Sequence, residues 1–195
     1  MDIDTPENRK ILITEHHFHG LASDPSFSIQ SPCTEEYNCI AWAMGFDDRW
    51  VDASADDYVH KKWWPENVEK DWTQETLVKA FEKLGFEICD NGIMEPGFDK
   101  VALYSALQSD GSVKWTHAAR IVRNNIYHSK IGNLFDVYHS GGCVFADTTY
   151  GTVYKFMRRE ISKRAITEKI KSVPVMIPND KEKERIARRI LSFYN

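Results

Sequence analysis

The chain has 195 residues, 42% hydrophobic and 28% charged, with 6 Trp, 8 Tyr and 10 Phe. That composition excludes disorder as the main state and supplies the apolar surface for one compact domain with a tail. The formal charge of −4 is unevenly spread, with 12 Lys and Arg against 5 Asp and Glu from Lys155 to Arg189, and 13 against 24 elsewhere. No apolar run approaches the ~20 residues of a membrane span, and Met1-Asp2-Ile3-Asp4 is acidic where a signal peptide is basic. A cytoplasmic protein without membrane contact is expected, unless another system delivers it outward.

Residues 1–27 read as an N-terminal arm with at most one short strand around Ile11-Leu12-Ile13. His16, His17 and His19 lie close together, but no Cys or carboxylate follows at ligand spacing, so no metal is expected there. Residues 28–160 read as the main domain. Tyr37 to Gly45 predicts a short helix with Asn38 as N-cap and Gly45 as C-terminal stop. Its residues are apolar apart from the thiol of Cys39, so it needs protein on all sides and belongs in the middle of the fold. Arg49 to Lys70 is an excursion containing Trp63-Trp64-Pro65. Thr73 then caps a second helix whose apolar residues Leu77, Val78, Phe81 and Leu84 recur at helical spacing up to Gly85.

From Phe86 onward the pattern is that of strands. Val101 to Tyr104 is apolar on both faces, and Val113 to Val122 alternates with Val113, Trp115, His117, Ala119 and Ile121 on the core side. Asn124-Asn125 predicts a hairpin turn into Ile126-Tyr127-His128, and Thr152 to Met157 a further strand. Helices followed by an antiparallel sheet predict an α+β fold. Residues 161–195 read as a basic strap, Val173 to Pro178, and a helix from Asp180 to Leu191. That segment is the candidate contact for an acidic protein partner. No nucleic-acid motif or stacking pattern accompanies its charges, and nucleic acid is not expected as a partner.

Cys39 stands at the start of its helix, where unpaired N–H groups and the helix dipole favour a thiolate. Such a nucleophile needs a base, for which inward-facing His117 is the candidate, and a group to orient that base. Asp136 is the first choice for the third member, with Ser129 and His139 as alternatives. The Cys39 N–H is a natural oxyanion donor, with Asn38 or Gln30 as a second. Against this stands the packing role usual for a thiol in an apolar helix. Cys33, Cys89 and Cys143 lack C-x-x-C spacing and such an address, so they are expected to be inert thiols. No cofactor motif is present.

Ser31-Pro32, Tyr37-Asn38-Cys39-Ile40-Ala41-Trp42-Ala43, Trp64-Pro65, Thr116-His117-Ala118-Ala119-Arg120, Ser129-Lys130-Ile131-Gly132, Asp136-Val137-x-His139 and Tyr150-Gly151 together resemble an uncharacterised family of bacterial domains. The layout is similar to that of papain-like hydrolases of the NlpC/P60 and CHAP kind, with a Cys opening a central helix, a His on an antiparallel sheet and a polar third residue. The resemblance implies Cys39, His117 and Asp136 as the site of a cysteine peptidase or amidase acting on a peptide or protein through an acyl-enzyme. The alternative is a non-catalytic partner-binding module of a bacterial toxin, immunity or defence system.

Overall fold

The computed structural model describes residues 3–54, 62–141 and 144–161. Long β-branched and aromatic runs pair into one seven-stranded antiparallel sheet. In chain order its strands are β1 (Ser28–Ile29), β4 (Glu87–Cys89), β5 (Phe98–Leu107), β6 (Val113–Arg123), β7 (Ile126–Lys130), β8 (Asp136–Ser140) and β9 (Thr152–Glu160), arranged β1-β8-β7-β6-β5-β9-β4. The short β2 (Trp50–Val51) and β3 (Lys62–Trp63) pair separately and in parallel. This is an α+β fold with few helices. Among the described residues no helix is long and apolar enough to cross a membrane.

The two helices expected from the sequence form one side of the fold. In α2 (Cys39–Met44) the Asn38 carboxamide oxygen accepts from the Ala41 N–H, and Gly45, at φ 105°, closes the other end in a left-handed conformation that disfavours a Cβ. In α3 (Gln74–Glu82) the Thr73 hydroxyl accepts from the Thr76 N–H. The apolar positions of both helices pack on Val101, Leu103, Trp115, Ala118 and Met157 of the sheet.

The opposite face is covered by the N-terminal segment, which is more structured than a loose arm. Thr5 caps α1 (Pro6–Lys10), a π-helical turn follows over Ile11–Glu15, and a 3-10 turn spans His19–Ser23. Leu12, Phe18 and Leu21 are buried against Tyr104, Ile121, Tyr127 and Phe145. Arg9 fastens the segment by bonding Asp4 and the Phe27 carbonyl. The alternation of charged and apolar residues here hides a helix too short to show a full period. The basic strap and helix read from the sequence lie outside the described residues.

One irregularity redirects the site strand. Tyr104 pairs with His117 but Ser105 pairs with Trp115, so Thr116 is an extra residue on β6. Such a bulge reverses the facing of the side chains beyond it. Trp115 therefore packs with α2 and α3, while the His117 ring lies against Tyr104 and Phe145 on the other face. Uninterrupted alternation, which would put Trp115 and His117 on one side, does not hold.

Candidate active site

Cys39 is the first residue of α2, as its sequence address predicts, but the expected thiolate is not stabilised. The residue is 8% exposed. Burial pushes its thiol up to about 11, against the opposing pull of the Ala118, Ile40 and Cys39 N–H groups and of Lys130. A six-residue helix gives too little field to reverse that desolvation. Asn38 is also committed: its oxygen accepts from the Ala41 and Val51 N–H groups and its nitrogen donates to the Val51 carbonyl. Its oxygen and one N–H are thus engaged, which leaves the second N–H as the one proton its side chain could offer an oxyanion.

His117 belongs to a buried polar chain. Its Nε2 lies 3.0 Å from Ser129 Oγ, which lies 2.8 Å from His139 Nε2, and all three residues are fully buried. A hydroxyl has one proton, so Ser129 donates to only one of the two rings, and the direction is assigned from the far side of His139. His139 Nδ1 faces the Ser140 carbonyl at 3.4 Å and must carry a proton to donate there, which leaves its Nε2 as an acceptor. Ser129 then donates to His139 and accepts from His117 Nε2–H. His117 Nδ1 is consequently a bare lone pair, and it is buried without a hydrogen-bond partner. Burial holds His117 well below its ordinary proton affinity and His139 down to about 4, so both rings are neutral near pH 7.

Register decides which groups share a face. Arg120 opposes His128, which opposes Tyr138, and Lys130 opposes Asp136, so these lie on the α2 side. Ser129 and Val137, like Tyr127 and His139, lie with His117 on the other side. Asp136 accepts from the Tyr37 hydroxyl at 2.6 Å and cannot orient His117 across the sheet. The group that hydrogen-bonds His117 is Ser129, named as an alternative to Asp136, with His139 behind it.

Cys39 approaches from the α2 side, at a break in the sheet. The β6–β7 ladder ends at the Arg120–His128 pair, and below it the Ala118 N–H faces the Cys39 sulfur. The sulfur therefore lies against β6 where the pairing with β7 has ended. Tyr150 lies on the face of His117. Its ring stacks on His117 at 4.1 Å with planes 7° apart, and its hydroxyl lies against the Gly132 backbone within electrostatic reach of Cys39. Neither nitrogen of His117 is hydrogen-bonded to the sulfur.

Tyr150 is the residue that sequence reasoning missed. The Tyr150-Gly151 pair was visible as a motif, but stacking across 33 residues of chain leaves no periodic signal. Tyr150 also floors an open groove of about 470 Å³ lined by Trp72, Leu107, Lys114 and Thr116. Lys130, fully buried, is the other unexpected polar neighbour. It donates to the Leu134 carbonyl, and the charges of Asp136, Cys33 and Cys39 oppose the lowering of its proton affinity by burial.

A seven-stranded antiparallel sheet with a Cys-led helix on one face and a buried His–Ser–His chain on the other defines an α+β domain. Residues 28–158 match the family described as Domain of unknown function (DUF7689), and the chain belongs to that family. Neither a curated protein nor a solved structure matches the chain.

Proposed function

We propose that this domain is a cysteine hydrolase of papain-like layout, cleaving amide bonds of a peptide or protein through an acyl-enzyme on Cys39. The observation that carries the reading is His117 Nδ1, buried without a hydrogen-bond partner among the described residues while Ser129 holds the opposite nitrogen, and so assigned as the unprotonated one. This is the tautomer a base requires. His117 Nδ1 takes the thiol proton, the sulfur attacks the carbonyl carbon, and the C–N bond breaks as the amine leaves with that proton. Water then attacks the thioester through the same nitrogen, releasing the carboxylic acid and restoring the thiol. The Cys39 N–H and the Ala118 N–H, both directed at the sulfur, are the donors near the developing oxyanion.

In this arrangement Tyr150 stands between the groove and both reacting groups, so its ring has to move for Cys39 and His117 to meet. The test is iodoacetamide labelling at pH 7.5, read residue by residue by mass spectrometry. Cys39 labels slowly in the unaltered chain and at least tenfold faster in Tyr150→Ala, and the gain disappears when His117→Gln is added. A rate in Tyr150→Ala that ignores His117 overturns the reading.

A second reading, a non-catalytic partner-binding module of a toxin, immunity or defence system, is favoured by the sealed sulfur and by three exposed apolar side chains, Trp72, Leu107 and Val113. The basic segment first considered as its contact lies outside the described residues. Under this reading Cys39→Ser retains the biological effect and Leu107→Asp with Trp72→Ser removes it. The hydrolase reading requires loss with Cys39→Ser.

A further inference from the structure

At the far end of α2 from Cys39 lies a partly open cavity of about 460 Å³, independent of the groove and of the thiol. The cavity falls within the size range of small-molecule sites. Its polar wall is built from two guanidiniums. Arg120 donates through Nε to the Trp42 carbonyl at 2.7 Å and stacks 3.9 Å over the Trp42 ring, which fixes its plane. Its two terminal nitrogens make no hydrogen bond among the described residues. Arg159 enters from β9, held 4.4 Å over Phe86, with one terminal nitrogen 3.4 Å from the Leu84 carbonyl and the other 3.6 Å from Asp99. Both Nη2 atoms come within 4 Å of the point where a side chain would start at Gly45, so the two forks converge on ground that glycine leaves open.

The cations of the wall differ in what they are spent on. Lys100 also lines the cavity, but its ammonium is spent on Glu95 at 2.7 Å and the Ile93 carbonyl at 2.8 Å. The two guanidiniums share Asp99, while Asp136 and Asp47 also act on Arg120, and on the same face the space is lined by Ala43, Val101, Val122 and Ile161. Burial disfavours the charge on Arg120, and Asp99 first, then Asp136 and Asp47, sustain it. A half-buried guanidinium with free, parallel donors is the usual receptor for a carboxylate. Simple capping of the α2 C-terminus accounts for the bond to Trp42. It does not account for the second arginine or for the cavity.

We infer that the cavity between α2, β5, β6 and β9 binds a small monocarboxylate with an apolar or aromatic body, its carboxylate between Arg120 and Arg159. Two planar forks suit a planar carboxylate, the carboxylates of Asp99, Asp47 and Asp136 nearby oppose the second charge of a phosphate dianion, and the apolar lining favours a hydrophobic remainder.

Isothermal titration of the full chain with benzoate, benzamide and phenyl phosphate tests this. Benzoate binds saturably at one site, benzamide does not, and phenyl phosphate binds more weakly than benzoate. Arg120→Lys and Arg159→Gln each weaken benzoate by about tenfold or more, the loss of a charged hydrogen bond expressed as affinity. No saturable benzoate binding, equal binding of benzamide, tighter binding of phenyl phosphate, or wild-type affinity in either folded variant overturns the inference. Arg120 also supports α2, so near-UV circular dichroism accompanies each titration. If Arg120→Lys fails to fold, Arg159→Gln decides alone.

Discussion

Acid should unfold this domain through its histidines before its carboxylates titrate. His139 is fully buried, accepts from Ser129 and is held down to about 4, whereas in the unfolded chain it titrates near ~6.5. Between those values the unfolded state binds a proton that the folded state refuses. Stability is therefore complete above pH ~6.5 and falls as pH drops, levelling off only below the folded value. The slope is about 1.4 kcal/mol per pH unit for each such group, so His139 alone removes about 3 kcal/mol by pH 4. That is a large share of the ~5–15 kcal/mol typical of a domain. His117 is shifted in the same direction, and so is His128, down to about 4, each by burial first. Urea denaturation at half-unit steps from pH 7.5 to 5 measures the slope, and His139→Gln should flatten it by about one proton's worth. Stability that stays level or rises toward pH 5, or a slope untouched by His139→Gln, would refute the assignment of neutral, buried imidazoles.

Ser129→Ala removes the hydroxyl shared by two buried rings, so it should cost about 1–3 kcal/mol in urea denaturation. It should also abolish any thiol activation that depends on His117. Asn38→Ala removes a cap that makes three buried hydrogen bonds. A loss of about 2 kcal/mol or more is expected, with the end of β2 loosened as seen by amide exchange at Val51. Gly151→Ala places a Cβ 2.2 Å from the Ser105 carbonyl oxygen at φ 70°. Displacement of the adjoining Tyr150 should follow, visible as a change in His117 ring chemical shifts and a lower thermal midpoint. Wild-type shifts and midpoint would contradict the close approach.

The two helices were readable because their signals are local. An Asn or Thr cap, a periodic apolar stripe and a terminal glycine act within one turn or two of their own residues, and Asn38, Thr73 and Gly45 sit as those signals require. The strands were readable as runs, but their facing was not. Thr116 is an ordinary strand residue, and its extrusion as a bulge is decided by its pairing with β5. That single residue reverses Trp115 relative to His117, and with it the expectation of which groups meet. The candidate site was legible as residue types at Cys39, His117, Ser129 and His139, while its connectivity was not. Asp136 was the better orienter by charge, but the register with Lys130 puts it on the α2 face, where Tyr37 takes it. The thiol's proton affinity was misjudged because desolvation depends on the sheet packed over the helix, which the helix's own sequence does not encode.

Covalent capture of Cys39 tests the central claim most directly. The full chain is incubated at pH 7.5 with an electrophilic peptide vinyl sulfone and analysed by peptide mass spectrometry, beside His117→Gln and Tyr150→Ala. Adduct confined to Cys39, faster in Tyr150→Ala and lost in the His117→Gln background, is the predicted result. Adduct spread over Cys33 and Cys89 with Cys39 untouched in every variant would contradict it, leaving a binding domain with a packed thiol.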